Sequence, residues 1–519
     1  MPIASIVLAA AALLGDAPAV QRGSTSPVEA RRLASLPQDA SLKGVYFSPD
    51  RRRLGYVARR GRSDFAVIDG VPAGEFDAIS SGLSFSPDGA RVAFVATREK
   101  ESFAVLDGVP GEAFDDVKSL GFALDGRLCF AASRARFKYV VTDGEKSAPL
   151  DSLPHPPVYT RRGPAYVGGF GGREFVVNGA ASDLSFDLVV SPLAVSPDGR
   201  RTAYAALQGS SLVAVIDGVP SSPFDKLLQD VRFSPDGRRA GFVARRGFRE
   251  LAIVDGIPHD EVDAVRSPLT FSPDGRRSAY AAREGAAEFV VIDGVAGDRV
   301  ERVLSPPRWS GDAKHVAWTA RSENREFAVI DGLRGPEHDR VSAPVFGARW
   351  IRRAYAAVDG GRARVVADGL PGDDFDQVSG LSFSPDGRRL AYQARDGATS
   401  FVVVDGSREA AAGDVQHLAF MPDGRRTWRV EKIGARKAVT LGGRRDDLYD
   451  DVGAFFFSPK GDRLAYVARS GRKRHLVCEG RRTGGYDELW SPRFVDGGAA
   501  IAFVALDAGS LWDVRLPLR

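Results

Sequence analysis

The stretch that decides the fold runs from Phe85 to Gly108, FSPDGARVAFVATREKESFAVLDG. Ser86-Pro87-Asp88-Gly89 has turn chemistry: proline pre-sets φ at the second position, aspartate suits the third, and glycine accepts the left-handed conformation after it. Arg91 to Ala96 then reads as a strand, and Thr97 to Glu101 as a charged loop. Phe103 to Leu106 reads as a second strand, closed by Asp107-Gly108. Asp-Gly after a β-rich run is a hairpin cue, because both residues tolerate positive φ. Phe114-Asp115 follows, and the aromatic-acid pair predicts the start of a further strand.

Outward from this stretch the phrase returns. FSPDG recurs at Phe233, Phe271 and Phe383, with variants at Phe47, Phe122, Val195, Trp309, Phe420, Phe457 and Phe494, and worn copies at Tyr159 and Phe346. The thirteen anchors are spaced 36 to 38 residues apart, a phase-locking that marks a repeat architecture. The Asp-Gly cue recurs at Asp69, Asp143, Asp217, Asp255, Asp293, Asp331, Asp368 and Asp405, with Asn178 and Glu479 as variants. Each unit predicts four short strands and no helix. A sheet that small cannot bury both faces alone, and stacking such sheets around an axis buries them. The predicted fold is therefore all-β: tandem propellers of about thirteen four-stranded blades. FSPDGRRLAY…FVVVDG, at Phe383 to Gly406, resembles the TolB-type, WD-repeat-like bacterial propeller repeats. The resemblance covers Pro37 to Arg519, and it implies a propeller without implying a ligand, since the repeated residues are turn and core residues.

The ends and divisions follow from the same phase. Ile3 to Leu14 is a 12-residue apolar run followed by Ala17-Pro18-Ala19, the pattern of a signal peptide over residues 1–19. No Cys follows it, which excludes a lipid-modified start and predicts a periplasmic or secreted protein. Residues 20–35 read as a linker. Leu36 to Val45 reads as an orphan fourth strand that completes the last unit, which stops after its third. Thirteen blades exceed the usual four to eight, so two propellers are expected, 36–304 and 305–519. A six-plus-seven division near residue 267 is the alternative.

Composition excludes several functions. Lys and Arg total 71 against 67 Asp and Glu, a net charge of +4, too small for a general nucleic-acid binder. Two Cys and six His exclude a disulfide framework and Cys-rich zinc modules. Cys129 and Cys478 fall in strands and read as small core hydrophobes. No other long apolar stretch is present, so no membrane span is expected. No Ser carries Gly at both −2 and +2, so the nucleophile elbow of an α/β-hydrolase is missing. Neither cofactor nor metal is called for. One Asp-Gly and one aromatic-acid pair per unit mark a structural device. His259-Asp260-Glu261 and His338-Asp339 read as surface substitutions.

The candidate functional residues are arginines that follow a strand-two Ala: Arg59, Arg245, Arg283, Arg321, Arg395 and Arg469. They would form a basic rim at the end holding the loops between strands two and three, fitted to an acidic protein or peptide. The plainer reading is a solvated rim neutralised by nearby Glu and Asp. Tyr166 and Trp350, in the worn units, are expected to be exposed and to contact a partner. The functional expectation is an exported, non-catalytic scaffold that binds a protein or peptide. The alternatives are a hydrolase or lyase with an axial site, and a glycan or small-ligand receptor.

Overall fold

Blade one shows how each repeat folds. In the computed structural model, which describes residues 19–21, 28–160, 163–348 and 352–518, it consists of Ala40–Phe47, Leu54–Arg60, Ser63–Ile68 and Val71–Phe76, paired antiparallel in that order. The turn chemistry behaves as written. Ser48 Oγ donates to Asp50 Oδ1 at 2.7 Å and accepts the Arg53 amide at 3.0 Å. Asp69 and Gly70 both take positive φ, 50° and 83°.

Thirteen such sheets make up the described chain. Two compact units can be distinguished, one holding Leu36–Val265 and the other Arg266–Arg519 with Gly15–Ser35; the boundary between them runs through blade seven, whose first strand, Ala264–Val265, lies in the first unit. Both cysteines are buried and unpaired.

Three expectations need correction. The fourth strand begins directly after Asp-Gly, as in Val71–Phe76 and Val109–Phe114; a strand does start after the aromatic-acid pair, as Asp116–Phe122 does after Phe114-Asp115, but it is the first strand of the next blade. The aromatic packs edge-on against the second-strand aromatic of the next blade: Phe76 on Phe94 at 5.9 Å, Phe186 on Tyr204 at 5.9 Å, Phe375 on Tyr392 at 6.4 Å. The charged loop between strands two and three is a two-residue turn, Glu99-Lys100, with both φ positive. The strand donated to the last blade is Val28–Ser35, inside the expected linker, and it pairs antiparallel with Ser510–Pro517. Ala40–Phe47 belongs instead to blade one. Val28 and Ala30 are buried among Ile501, Phe503 and Val514, and this burial selects Val28–Ser35 as the added strand. Of the segment expected as a signal peptide, residues 1–19, only Ala19 is described, in the strand Ala19–Gln21 that pairs with Val28–Ala30; residues 1–18 lie outside the described residues.

Among the described residues no helix is long and apolar enough to cross a membrane.

Candidate functional site

Most recurrent charges are spent holding blades together. In six blades the Asp of the Asp-Gly turn accepts the first amide of strand two through one oxygen and a guanidinium through the other. Asp217 takes the Thr202 amide at 3.1 Å and Arg201 Nε at 2.7 Å; Asp405 takes the Leu390 amide at 2.9 Å and Arg389 Nε at 2.7 Å. The same arginine reaches the next blade. Arg201 donates to the Arg238 carbonyl and covers the Phe233 ring, and Arg389 donates to the Arg425 carbonyl at 2.6 Å and covers Phe420. The Asp of the aromatic-acid pair caps the next hairpin, as Asp187 does for the Gly209 amide at 2.6 Å.

A third device uses strand three. Glu174, Glu288 and Glu326 accept the amides of Val189, Val303 and Val341 in the following blade, at 2.7 to 2.9 Å. Asp64 does the same to Ile79 at 2.9 Å while holding Lys43 Nζ at 2.6 Å and Arg59 Nε at 2.8 Å. Burial pushes its carboxyl up, but the Arg59 and Lys43 bonds and the Ile79 amide outweigh that and hold it down to about 2.

The candidate arginines divide accordingly. Arg59 belongs to the Asp64 clasp, and Arg321 donates to Glu326 at 2.8 Å. Arg245 and Arg283 lie across the strand pair from Glu250 and Glu288, half-buried. Arg283, Arg395 and Arg469 donate to the turn carbonyls of Gly285, Gly397 and Gly471 at 3.2 to 3.4 Å. Tyr166 is buried against Val140 and Leu150, contrary to expectation, because it fills the strand-two aromatic slot that Phe94 fills in blade two. Trp350 lies outside the described residues. His338 sits in the aromatic slot against Tyr355 with its side chain 12% exposed, and its Nδ1 meets Asp359 Oδ2 at 2.7 Å, so it is no surface substitution.

Two places depart from this internal economy. On the first unit, large apolar side chains stand in solvent at the hairpin end. Phe248, at a turn tip, is 97% exposed and Phe170, at another, 58%. Leu188 and Leu228, on the first strands of blades five and six, and Val190, just after the strand of Leu188, are exposed with them. Arg246 and Arg249 flank Phe248, and Arg249 is tied to Asp263 Oδ1 at 2.5 Å and to the Glu261 carbonyl at 2.6 Å.

On the second unit, a cavity of about 650 Å³ opens in blades eleven and twelve. Arg426, Arg444, Arg463 and Arg481 line it with Asp446, Glu479 and Tyr466; Val439, Leu441, Leu464 and Leu518 form its apolar side. Tyr466 Oη donates to Asp446 Oδ2 at 2.9 Å. Burial raises the Asp446 carboxyl above the ordinary range, and burial and Asp446 raise the Tyr466 phenol. Cys478 borders the cavity, but burial pushes its thiol up to about 12, so it supplies no thiolate at neutral pH. The signal that finds this place is a broken turn: Gly442-Gly443 stands where other units have Asp-Gly.

No protein-family model matches the chain, and no curated protein matches it. Among solved structures the chain is similar to the Dos1 propeller, at 10% identity and TM-score 0.26, over 63% of this chain and 92% of that one. It is similar to the β-propeller domain of Cps50 (Swd1) from Myceliophteria thermophila, at 14% and 0.22, over 51% and 99%. An oligogalacturonate lyase in complex with manganese is similar at 13% and 0.26, over 55% and 88%. The thirteen four-stranded antiparallel sheets themselves make the fold one of β-propeller blades.

Proposed function

We propose that this chain is an exported, non-catalytic scaffold whose first unit docks a protein or peptide partner on the hairpin end of blades four to six. One observation carries the reading: Phe248 stands 97% exposed at a turn tip. Burying such a ring is worth about 1.5–3 kcal/mol, which the free chain forgoes. Exposed apolar groups gathered at one end mark interaction surfaces, whereas single scattered ones carry no message. Phe170, Leu188, Val190 and Leu228 on consecutive blades supply the gathering. The arginines beside Phe248 give the rim polar donors for the partner's carbonyls and carboxylates. In this reading the two compact units are two propellers of six and seven blades.

The test is affinity capture from the native cell envelope with two baits, the wild-type chain and Phe248→Ser/Phe170→Ser. A partner retained by the first and lost by the second supports the reading. The same set on both baits, or turnover by the purified chain, refutes it.

A further inference from the structure

Comparing the thirteen blades with one another shows what the cavity of blades eleven and twelve lacks. In blade ten the turn aspartate, Asp405, holds Arg389 Nε at 2.7 Å and the Leu390 amide at 2.9 Å. Blade nine repeats the arrangement through Asp368 with Arg352 Nε and the Arg353 amide, at 2.8 and 2.9 Å. In blade eleven the aspartate slot is Gly442, yet the backbone is unchanged. Its φ is 54°, beside 51° at Asp405 and 53° at Asp368, and its amide still bonds the Thr427 carbonyl at 2.8 Å. The carboxylate has been deleted and its partners kept. Arg426 still donates to the next blade at the Asp462 carbonyl, but among the described residues it makes no ion pair, and no side chain accepts the Thr427 amide.

The neighbours do not make good the loss. Asp446, in a slot that is Gly372 in blade nine, spends its Oδ2 on Tyr466. Glu479 reaches only Arg463, at 3.9 Å. Arg444 and Arg481 add two further guanidiniums without ion pairs among the described residues. The hole therefore has a donor set already shaped for one carboxylate, by the precedent of six blades in which the turn aspartate holds the equivalent arginine, at Asp69, Asp217, Asp255, Asp293, Asp368 and Asp405. It opens into a cavity in the size range of small-molecule sites, with one apolar wall.

We propose that the cavity binds a carboxylate-bearing ligand, whose carboxylate takes the place left by Gly442, with Arg426 and the Thr427 amide as its donors and its apolar remainder against Leu441, Leu464 and Leu518. This site is independent of the partner surface on the first unit.

Gly442→Asp restores the internal carboxylate and closes the site without loss of fold. Aspartate holds this φ throughout the chain, and an added Cβ meets only the Arg426 side chain, at 3.1 Å. Binding of succinate to the full chain is measured by calorimetry at constant ionic strength, with inorganic phosphate as a second arm. Saturable succinate binding is expected in the wild type, weakened by about tenfold or more in both Gly442→Asp and Arg426→Ala, as removal of a charge-assisted bond dictates. Wild-type affinity retained by Gly442→Asp overturns the proposal. So does phosphate binding without succinate binding, and so does no saturable binding of either.

Discussion

Asp64 gives the sharpest quantitative test of how blades are clasped. Its side chain is fully buried, and it accepts Ile79 of the next blade while facing Lys43 and Arg59. Asp64→Asn keeps the volume and one acceptor oxygen and removes only the charge. The gap between an ordinary aspartate at 3.8 and this one at about 2 is worth about 2.4 kcal/mol, at 1.36 kcal/mol per tenfold. The first unit spans about 230 residues. At about 2.1 cal/mol/K per residue, that energy lowers its melting temperature by about 5 °C. Because the folded pKa is depressed, the contribution is fully present above 3.8 and is lost as pH falls through about 2. Thermal unfolding followed by circular dichroism at pH 7 and at pH 2.5 reads both effects: a gap between wild type and variant at pH 7 that narrows markedly at pH 2.5. A variant within about 0.5 kcal/mol of wild type at pH 7 would refute the reasoning, as would a gap that persists undiminished at the lower pH.

Asp217→Ala leaves the Thr202 amide and Arg201 without their acceptor and is expected to cost about 1–3 kcal/mol in urea unfolding; an unchanged midpoint contradicts the staple. Phe248→Ser touches nothing in the fold, so its unfolding midpoint should match wild type within about 0.5 kcal/mol; a larger loss would make the ring structural. Sulfate stays a dianion across the accessible range. Asp446 has a raised carboxyl, so its protonation on acidification removes a negative charge from the cavity. Sulfate affinity should therefore rise as pH falls towards that raised value, and Asp446→Asn should bind more tightly at pH 7 with the slope flattened; a slope unchanged in the variant contradicts this. Neither Cys129 nor Cys478 should react with a thiol-specific disulfide reagent at pH 8 until urea unfolds the chain, since burial raises both thiols; prompt reaction in the native state would place them at the surface.

The repeat made the blades legible because turns are local. Ser-Pro-Asp-Gly and Asp-Gly need only their own backbone, and both fold as their residues dictate. The aromatic-acid pair misled because its partner is distant. Phe76 packs on Phe94, 18 residues on and in another sheet, so local reading sees the strand that starts after the pair but not that it belongs to the next blade. Val28–Ser35 was hidden because Arg31 and Arg32 make it look polar, and no turn phrase frames it; the cue lay in Val28 and Ala30, alternate residues on one face. Tyr166 was hidden by a shortened turn: Phe94 lies nine residues after Phe85 and 13 before Asp107, but Tyr166 lies seven after Tyr159 and 12 before Asn178, and only the strand register, with Tyr166 opposite Val177, places it in the Phe94 slot. The arginine rim reads as a site when strands are taken one at a time. Paired strands show Arg59 opposite Asp64 and Arg321 opposite Glu326.

A chain that repeats itself supplies its own controls, and they separate exchange from loss. In blades eleven and twelve strand three carries a base in place of the acid, and the next blade carries the acid: Lys437 meets Asp451 at 2.8 Å and Arg474 meets Glu488 at 3.0 Å. Between blades ten and eleven both aromatics are gone, Ala412 standing in one slot and Arg429 in the other, but Glu431 and Glu409 answer the arginine at 2.8 and 2.9 Å. Each of these changes is matched, so packing and charge balance explain them. A buried pair like Arg429–Glu431 is weak evidence of stabilisation, because desolvation offsets much of the attraction. What it does show is that blade eleven replaces what it loses. Gly442 is different: the aspartate is missing, its arginine and amide remain, and among the described residues no side chain fills the space. Since an open cavity costs stability, an uncompensated deletion in a blade that otherwise compensates points to a group supplied from outside.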